Sequence, residues 1–305
     1  SFLTALISGG VFGSASAKAA SPQSVATLTS GAMLGEGLAD LMSEQDYQDF
    51  LTASAQQPGG MLSTRQNLQK AAVGPNVLRI KTLGYHEPGD GGGALYYRAA
   101  ADPTDPSQVR SADGAWWAIS SAGGSINIRQ FGARGNGLQD DTLSIRDACD
   151  FARRSREART VMFPAGIYLV TGPFLELGQG ESRLSFRGQD AETTQILLGA
   201  HLDAPLIQIK GAENKSRVEW ITFSELTFVN RKRRYQGDCV HINQAYHIDW
   251  LRCRWIGWNG HALYLDDYWD SNFEGCRVIG CGSPSAEDAK QTEVAFVSPK
   301  PAVWI

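Results

Sequence analysis

Three short segments carry side chains capable of chemistry at matching positions. Ile207-Gln208-Ile209-Lys210, Val240-His241-Ile242-Asn243 and Leu263-Tyr264-Leu265-Asp266 each alternate apolar with polar residues, the pattern of a half-buried strand. If they stack as neighbouring strands about 4.8 Å apart, their outer faces form two ladders. One holds Gln208, His241 and Tyr264; the other holds Lys210, Asn243 and Asp266, with Asp267 adjoining at the turn. Removing a proton from a carbon beside a carboxylate needs such a set. A cation or amide neutralises the carboxylate, and a His, Tyr or Lys takes the proton. Hydrolysis of a glycosidic bond instead needs two carboxyl groups roughly 5 to 9.5 Å apart, and Asp266 with Asp267 or Asp270 is the candidate pair. His241, Tyr264, Asp266 and Asp267 are therefore the catalytic candidates. Gln208, Lys210, Asn243 and Arg233 are the binding candidates, Arg233 coming from the basic run Arg231-Lys232-Arg233-Arg234 that could grip an acidic polymer. The competing reading is a merely solvated outer face. His247, Asp249 and Asp270 lie near turns but are scattered, so no metal ligand is assigned and Ca2+ is the only ion considered.

Elements of one repeated kind must position these residues. The window from Gly237 to Gly257 aligns without gaps on that from Gly260 to Gly280, at a spacing of 23 residues. Cys253 then falls on Cys276, Arg254 on Arg277 and Ile256 on Ile279. An earlier, longer coil places Ile207 on Val240 at a spacing of 33. Short alternating strands at a period in the low twenties are the mark of a solenoid whose coils bury their apolar faces only by stacking. Alternation puts Val240, Ile242, Leu263 and Leu265 inside, with Cys239 and Ala262 outside beside the ladder residues. Trp250, Trp255, Trp258 and Trp269 are either sugar-stacking platforms or core, and core is the reading for at least two of them.

Upstream, residues 128–168 read Ile128-Arg129-Gln130-Phe131-Gly132-Ala133-Arg134-Gly135-Asn136-Gly137-Leu138-Gln139-Asp140-Asp141-Thr142, then an amphipathic helix with Ile145, Ala148, Cys149 and Ala152 on one stripe. The strand Thr160-Val161-Met162-Phe163 and the turn Pro164-Ala165-Gly166-Ile167-Tyr168 follow. This succession resembles the N-terminal signature of the pectate-lyase superfamily. The resemblance implies an all-β fold, a right-handed single-stranded parallel β-helix capped by the helix from Thr142. It also implies a polysaccharide lyase, a hydrolase related to glycosyl hydrolase family 28, an epimerase, or a tailspike-like glycan-binding scaffold in which homotrimers occur. Asp140 and Asp141 are turn and N-cap residues in that signature. The hydrolase motifs Asn-Thr-Asp and Gly-His-Gly and the epimerase motif Asp-Pro-His-Glu are absent, so the reaction type stays open. The stretch from Gly84 to Ile119 resembles the small β module that precedes this signature in secreted polysaccharide enzymes and phage tailspikes. Its glycine run Gly89 to Gly93 is followed by a strand, which makes it a hairpin turn rather than a phosphate cradle.

Composition agrees with this organisation. The 305 residues carry 28 basic and 32 acidic side chains, a net charge of −4, which argues against a general nucleic-acid or anionic-membrane surface. Hydrophobic residues make up 42%, enough to bury a large core, and 33 Gly with 8 Trp, 9 Tyr and 12 Phe suit a turn-rich β protein. No apolar run reaches the roughly 18 residues of a membrane span. Five cysteines without a Cys-x-x-Cys pair define neither a zinc knuckle nor a disulfide framework. Residues 1–20, an apolar stretch from Phe2 to Phe12 followed by Ala15-Ser16-Ala17 and Ala17-Lys18-Ala19, read as a signal-peptide remnant. Ser1-Phe2-Leu3 has a twin-arginine flavour, and a secreted or periplasmic location is expected. Residues 21–76 read as a leader or helical stalk with a helix near Ser43 to Leu51, 77–124 as the β module, and 125–305 as the β-helix. Its open edge after Pro301-Ala302-Val303-Trp304-Ile305 predicts further coils. The expected partner is a polysaccharide, acidic because of Lys210 and the basic run.

Overall fold

The computed structural model describes residues 59–212 and 218–282. The signal-like segment, the helix expected near Ser43 to Leu51 and the terminal strand expected at Pro301 to Ile305 lie outside the described residues. Strand β1 (Gly59–Thr64) and helix α1 (Arg65–Lys70) open the described chain, and the sheet runs on through β2 (Arg79–Gly84), β3 (Leu95–Ala99), β4 (Gln108–Arg110) and β5 (Trp116–Ile119). The strand order is β1-β2-β3-β5-β4. β2 and β3 are antiparallel around the glycine turn, as the sequence predicts, while β1 lies parallel to β2. The sheet thus begins at Gly59, inside the stretch read as leader. Leu62 of β1 and Leu68 of α1 are buried.

The solenoid starts at β6 (Ser125–Asn127) and β7 (Asn136–Asp140), with helix α2 (Thr142–Arg154) between β7 and β8 (Thr160–Phe163). The coils then run through β9 (Gly166–Val170), β10 (Leu175–Leu177), β11 (Ser182–Gly188), β12 (Thr194–Leu198), β13 (Ile207–Lys210), β14 (Val218–Ser224) and β15 (Thr227–Val229). They continue with β16 (Val240–Leu251), β17 (Arg254–Ile256), β18 (Leu263–Trp269), β19 (Phe273–Glu274) and β20 (Arg277–Ile279). Every pairing among these strands is parallel, which makes the chain an all-β parallel β-helix with three faces. The first face stacks β10, β13, the start of β16 and β18; the third stacks β7, β9, β12, β15, β17 and β20. The second stacks β6, β8, β11, β14, the end of β16 and β19. It joins the first into one nine-stranded sheet because β16 runs through the corner between them.

The signature residues explain the start of the helix. Asp141 accepts backbone N–H bonds from Arg134 (2.7 Å) and Gly135 (3.0 Å), folding the glycine loop back on the helix start. Asp141 occupies the N-cap position of α2 without capping it. Asp140 does that work instead, accepting from the Thr142 N–H at 2.9 Å and from Thr171 Oγ1 at 2.5 Å. The close loop requires glycine: a Cβ on Gly135 would lie 2.7 Å from the Tyr168 ring, and one on Gly132 2.8 Å from the Tyr85 ring. Arg129 ties module to solenoid through the carbonyls of Asp90 (3.2 Å) and Ala165 (2.7 Å). Ile145, Ala148, Cys149 and Ala152 form the buried stripe of α2, as the periodicity predicts.

Inside the coils the rings of Phe186, Phe223, Trp250 and Phe273 stack in succession, at centroid distances of 4.9, 4.1 and 6.4 Å. Phe228 stacks on Trp255 at 6.0 Å on the next face. Trp250, Trp255 and Trp258 are fully buried and Trp269 is half exposed, so three of the four tryptophans are core. Cys239 and Ala262 are also buried, against the expectation from alternation. Ladder pairing on this face begins only at Val240 and Leu263, so these two lie in the preceding corner. The cysteines are all free thiols and four of the five are buried. Trp250→Ala should cost about 3–5 kcal/mol by breaking the central stack, whereas Trp269→Ala should stay within about 0.5 kcal/mol. Denaturant unfolding of the two variants measures the difference.

Candidate functional site

The two ladders form in the expected register. Gln208 pairs with His241 and His241 with Tyr264; Lys210 pairs with Asn243 and Asn243 with Asp266. Glu176 extends the first ladder by one coil, since it pairs with Gln208. Coil stacking therefore brings Gln208 and Asp266, 58 positions apart in sequence, onto one outward patch. Within it Asn243 donates from Nδ2 to Asp266 at 2.8 Å. The Tyr264 ring lies 5.0 Å from that of His241. Lys210 and Asp267 are exposed, while Gln208, His241, Asn243, Tyr264 and Asp266 are partly buried.

Asp267 lies within β18 at φ +50°, directly above Gln244 of β16 at φ +56° in the preceding coil. Its carboxylate accepts from Trp269 Nε1 at 2.5 Å. Arg233 belongs elsewhere. Its guanidinium donates to the Gly280 carbonyl at 2.8 Å, beyond the end of β20 on the third face, so the basic run braces a corner. His247, Asp249 and Asp270 are not gathered into a cluster among the described residues. Instead His247 Nδ1 meets the Asp270 carbonyl at 3.0 Å and its ring stacks on Trp220 at 3.9 Å.

The most strongly bonded part of the site was not foreseen from sequence. Asp238, one residue before the buried Cys239, bonds to His241 Nε2 at 2.7 Å and accepts the His261 backbone N–H at 2.6 Å. Its Oδ1 also lies 3.3 Å from His261 Nδ1. The reason is local: a Cβ on Gly260 would fall 2.0 Å from Asp238 Oδ1, so only glycine lets the carboxylate reach under the next coil. The signal was present in the 23-residue alignment, which sets Gly237-Asp238 over Gly260-His261. Asp238 and His261 both precede their strands, where period-2 alternation does not extend.

Residues 125–246 match a family model described as rhamnogalacturonase A/epimerase, pectate lyase-like. That segment is similar to the pectate-lyase-like family. It covers the signature, α2 and the coils as far as His241 and Asn243. No curated protein matches the sequence. Among solved structures the chain is similar to a tailspike protein of Acinetobacter baumannii phage AM24, at 14% identity and TM-score 0.48, over 81% of this chain and 47% of that one. It is similar to WceF of Pantoea stewartii, a glycan biofilm modifying enzyme with a tailspike-like parallel β-helix, at 16% identity and TM-score 0.45, over 75% and 43%. The surface adhesin PfbA of Streptococcus pneumoniae matches at 19% identity and TM-score 0.43, over 53% and 40%. The chain thus spans less than half the length of each of these structures. No helix among the described residues is long and apolar enough to cross a membrane.

Burial alone would raise the Asp238 carboxyl, but the His241 hydrogen bond, the His261 N–H and the His261 side chain outweigh it and hold the pKa at about 2. A folded pKa below the unfolded value gives stability that is present above about pH 4 and lost as the pH falls towards 2. With the carboxylate still in contact with water, the contribution is about 1 kcal/mol. Asp238→Asn should lower Tm at pH 6 to 7 and flatten the fall in Tm between pH 4 and 2, which thermal unfolding across that range would test.

Proposed function

We propose that the protein is an exported glycan-processing β-helix, with its site on the outward face of β13, β16 and β18 and an acidic polysaccharide as substrate. The observation that carries this reading is the register pairing. It lines up an ammonium group (Lys210), an amide (Asn243) and a carboxylate (Asp266) beside a ladder holding an imidazole (His241) and a phenol (Tyr264). The pectate-lyase-like match over residues 125–246 supports a carbohydrate as the ligand.

Elimination from a uronate unit suits these groups. Lys210 and Asn243 would engage the sugar carboxylate and drain charge from C5 as its proton leaves. Tyr264, as a phenolate, would accept the C5 proton, the C4–C5 double bond would form, and the C4–O4 bond would break with O4 taking up a proton from water. Epimerisation would share the first step and return the proton to the opposite face. Hydrolysis fits less well. Asp266 and Asp267 are each engaged as acceptors already, of N–H bonds from Asn243 and Trp269.

A second reading is binding without turnover, as in a tailspike-like or adhesin scaffold. Half-exposed Trp220 and Trp269, with Tyr246 and His247, form an aromatic shelf beside the ladder that favours it. Incubation with uronate polymers separates the two. Elimination gives the absorbance of an unsaturated uronate, and Tyr264→Phe and Lys210→Ala should each reduce it by 10²-fold or more with folding unchanged. Binding of acidic glycans without any product selects the scaffold, and unchanged rates in both variants refute the ladder as the site.

A further inference from the structure

Asp238, His241 and His261 place one donor atom each within 4.8 Å of the others. Two coils build the group: Asp238 and His241 come from one, His261 from the next. The carboxylate oxygens are already used, Oδ1 by the His261 backbone N–H and Oδ2 by His241 Nε2. His261 Nδ1 is buried and makes no hydrogen bond, although Oδ1 stands 3.3 Å away. A polar atom buried without a partner beside a carboxylate calls for an explanation, and a bound cation satisfies the nitrogen and the carboxylate together. The three side chains keep 26% to 35% of their exposure, which leaves the outward side open to water.

The geometry points to a transition-metal site, in which Asp238, His241 Nε2 and His261 Nδ1 bind one divalent ion, Zn2+ in first place, with water as the remaining ligand. Two imidazoles and one carboxylate suit zinc, cobalt, nickel or copper, whereas calcium and magnesium take oxygen ligands. Three protein ligands with an open fourth position make a reactive rather than a structural zinc site. Metal–ligand bonds of about 2.1 Å set the ligand atoms of a tetrahedral site about 3.4 Å apart, so the imidazoles must swing inward by roughly an ångström, and their partial exposure gives them room. The His261 backbone N–H on Asp238 is the kind of outer-shell bond that orients a ligating carboxylate. The site goes beyond the glycan reading and does not rest on it.

The test uses no glycan. The chelator-stripped chain is titrated with Zn2+ by calorimetry and with Co2+ by absorption. One equivalent should bind, with the intense visible bands of four-coordinate cobalt that Zn2+ abolishes. His241→Ala, His261→Gln and Asp238→Asn should each weaken Zn2+ by ten- to a hundredfold with unchanged circular dichroism. The unmutated protein supplies a measurement that no folding defect can confuse. Zn2+ should protect His241 and His261, and not His86 or His201, from acylation by diethyl pyrocarbonate. The site is overturned by a thiolate-to-cobalt charge-transfer band, which would place the ion on the cysteines. Full affinity in the His241→Ala/His261→Gln double variant, or acylation of both histidines unaffected by Zn2+, overturns it equally.

Discussion

A strand in a parallel solenoid cannot satisfy its own backbone. Each N–H and C=O on a coil finds its partner one coil above or below, so register between coils is the constraint on which the rest of this structure depends. The core enforces it. Phe186, Phe223, Trp250 and Phe273 occupy equivalent positions and stack face to face, and a slip of one residue would turn each ring out to solvent. The corners enforce it as well. Arg183, Trp220, His247 and Asp270 adopt left-handed backbone at one corner of four successive coils, and Glu225, Arg252 and Gly275 do so at another. A left-handed turn is costly for most side chains, and its repetition in columns shows that stacking outweighs that local cost.

The coils are not equal in length, and the inequality is what makes a site. Strand β13 follows β10 by 32 residues and β16 follows β13 by 33, but β18 follows β16 by only 23. The excess is taken up in loops between strands, so the ladders keep their registers across the long coils. In the shortest coil-to-coil step Gly260 sits over Gly237, close against the Asp238 carboxylate. That closeness lets one carboxylate reach two histidines of consecutive coils.

Charge is handled on the surface of the helix rather than in its core. Asp238 remains anionic because the His241 ring and the His261 backbone N–H bond to it and the His261 ring stands beside it, against the cost of partial burial. The buried thiols of Cys149 and Cys253 behave oppositely. Burial pushes both well above the ordinary cysteine range and outweighs their polar contacts, so they serve as small apolar filling. Asp141, buried at the start of the solenoid, is raised by desolvation despite its two backbone N–H bonds, in keeping with a structural loop brace.

Local pattern alone determined much of this protein. The helix from Thr142, the hairpin at Gly89 to Gly93, the inward Val240, Ile242, Leu263 and Leu265, and the pairings of Gln208 with His241 and Lys210 with Asn243 all follow from period-2 alternation and the repeat. These features are legible because a stacked coil repeats the same environment at each rung, so aligned sequence becomes aligned space. Other features needed the tertiary structure. The start of the module sheet at Gly59 depends on a parallel pairing with β2 that no local pattern announces. Arg233, read as a substrate contact, braces Gly280, because a loop side chain goes wherever an unpaired carbonyl waits. Asp238 and His261 met only in three dimensions. They lie in corners, where alternation lapses and direction is set by neighbouring coils, and the missing Cβ of Gly260 decided that they could touch.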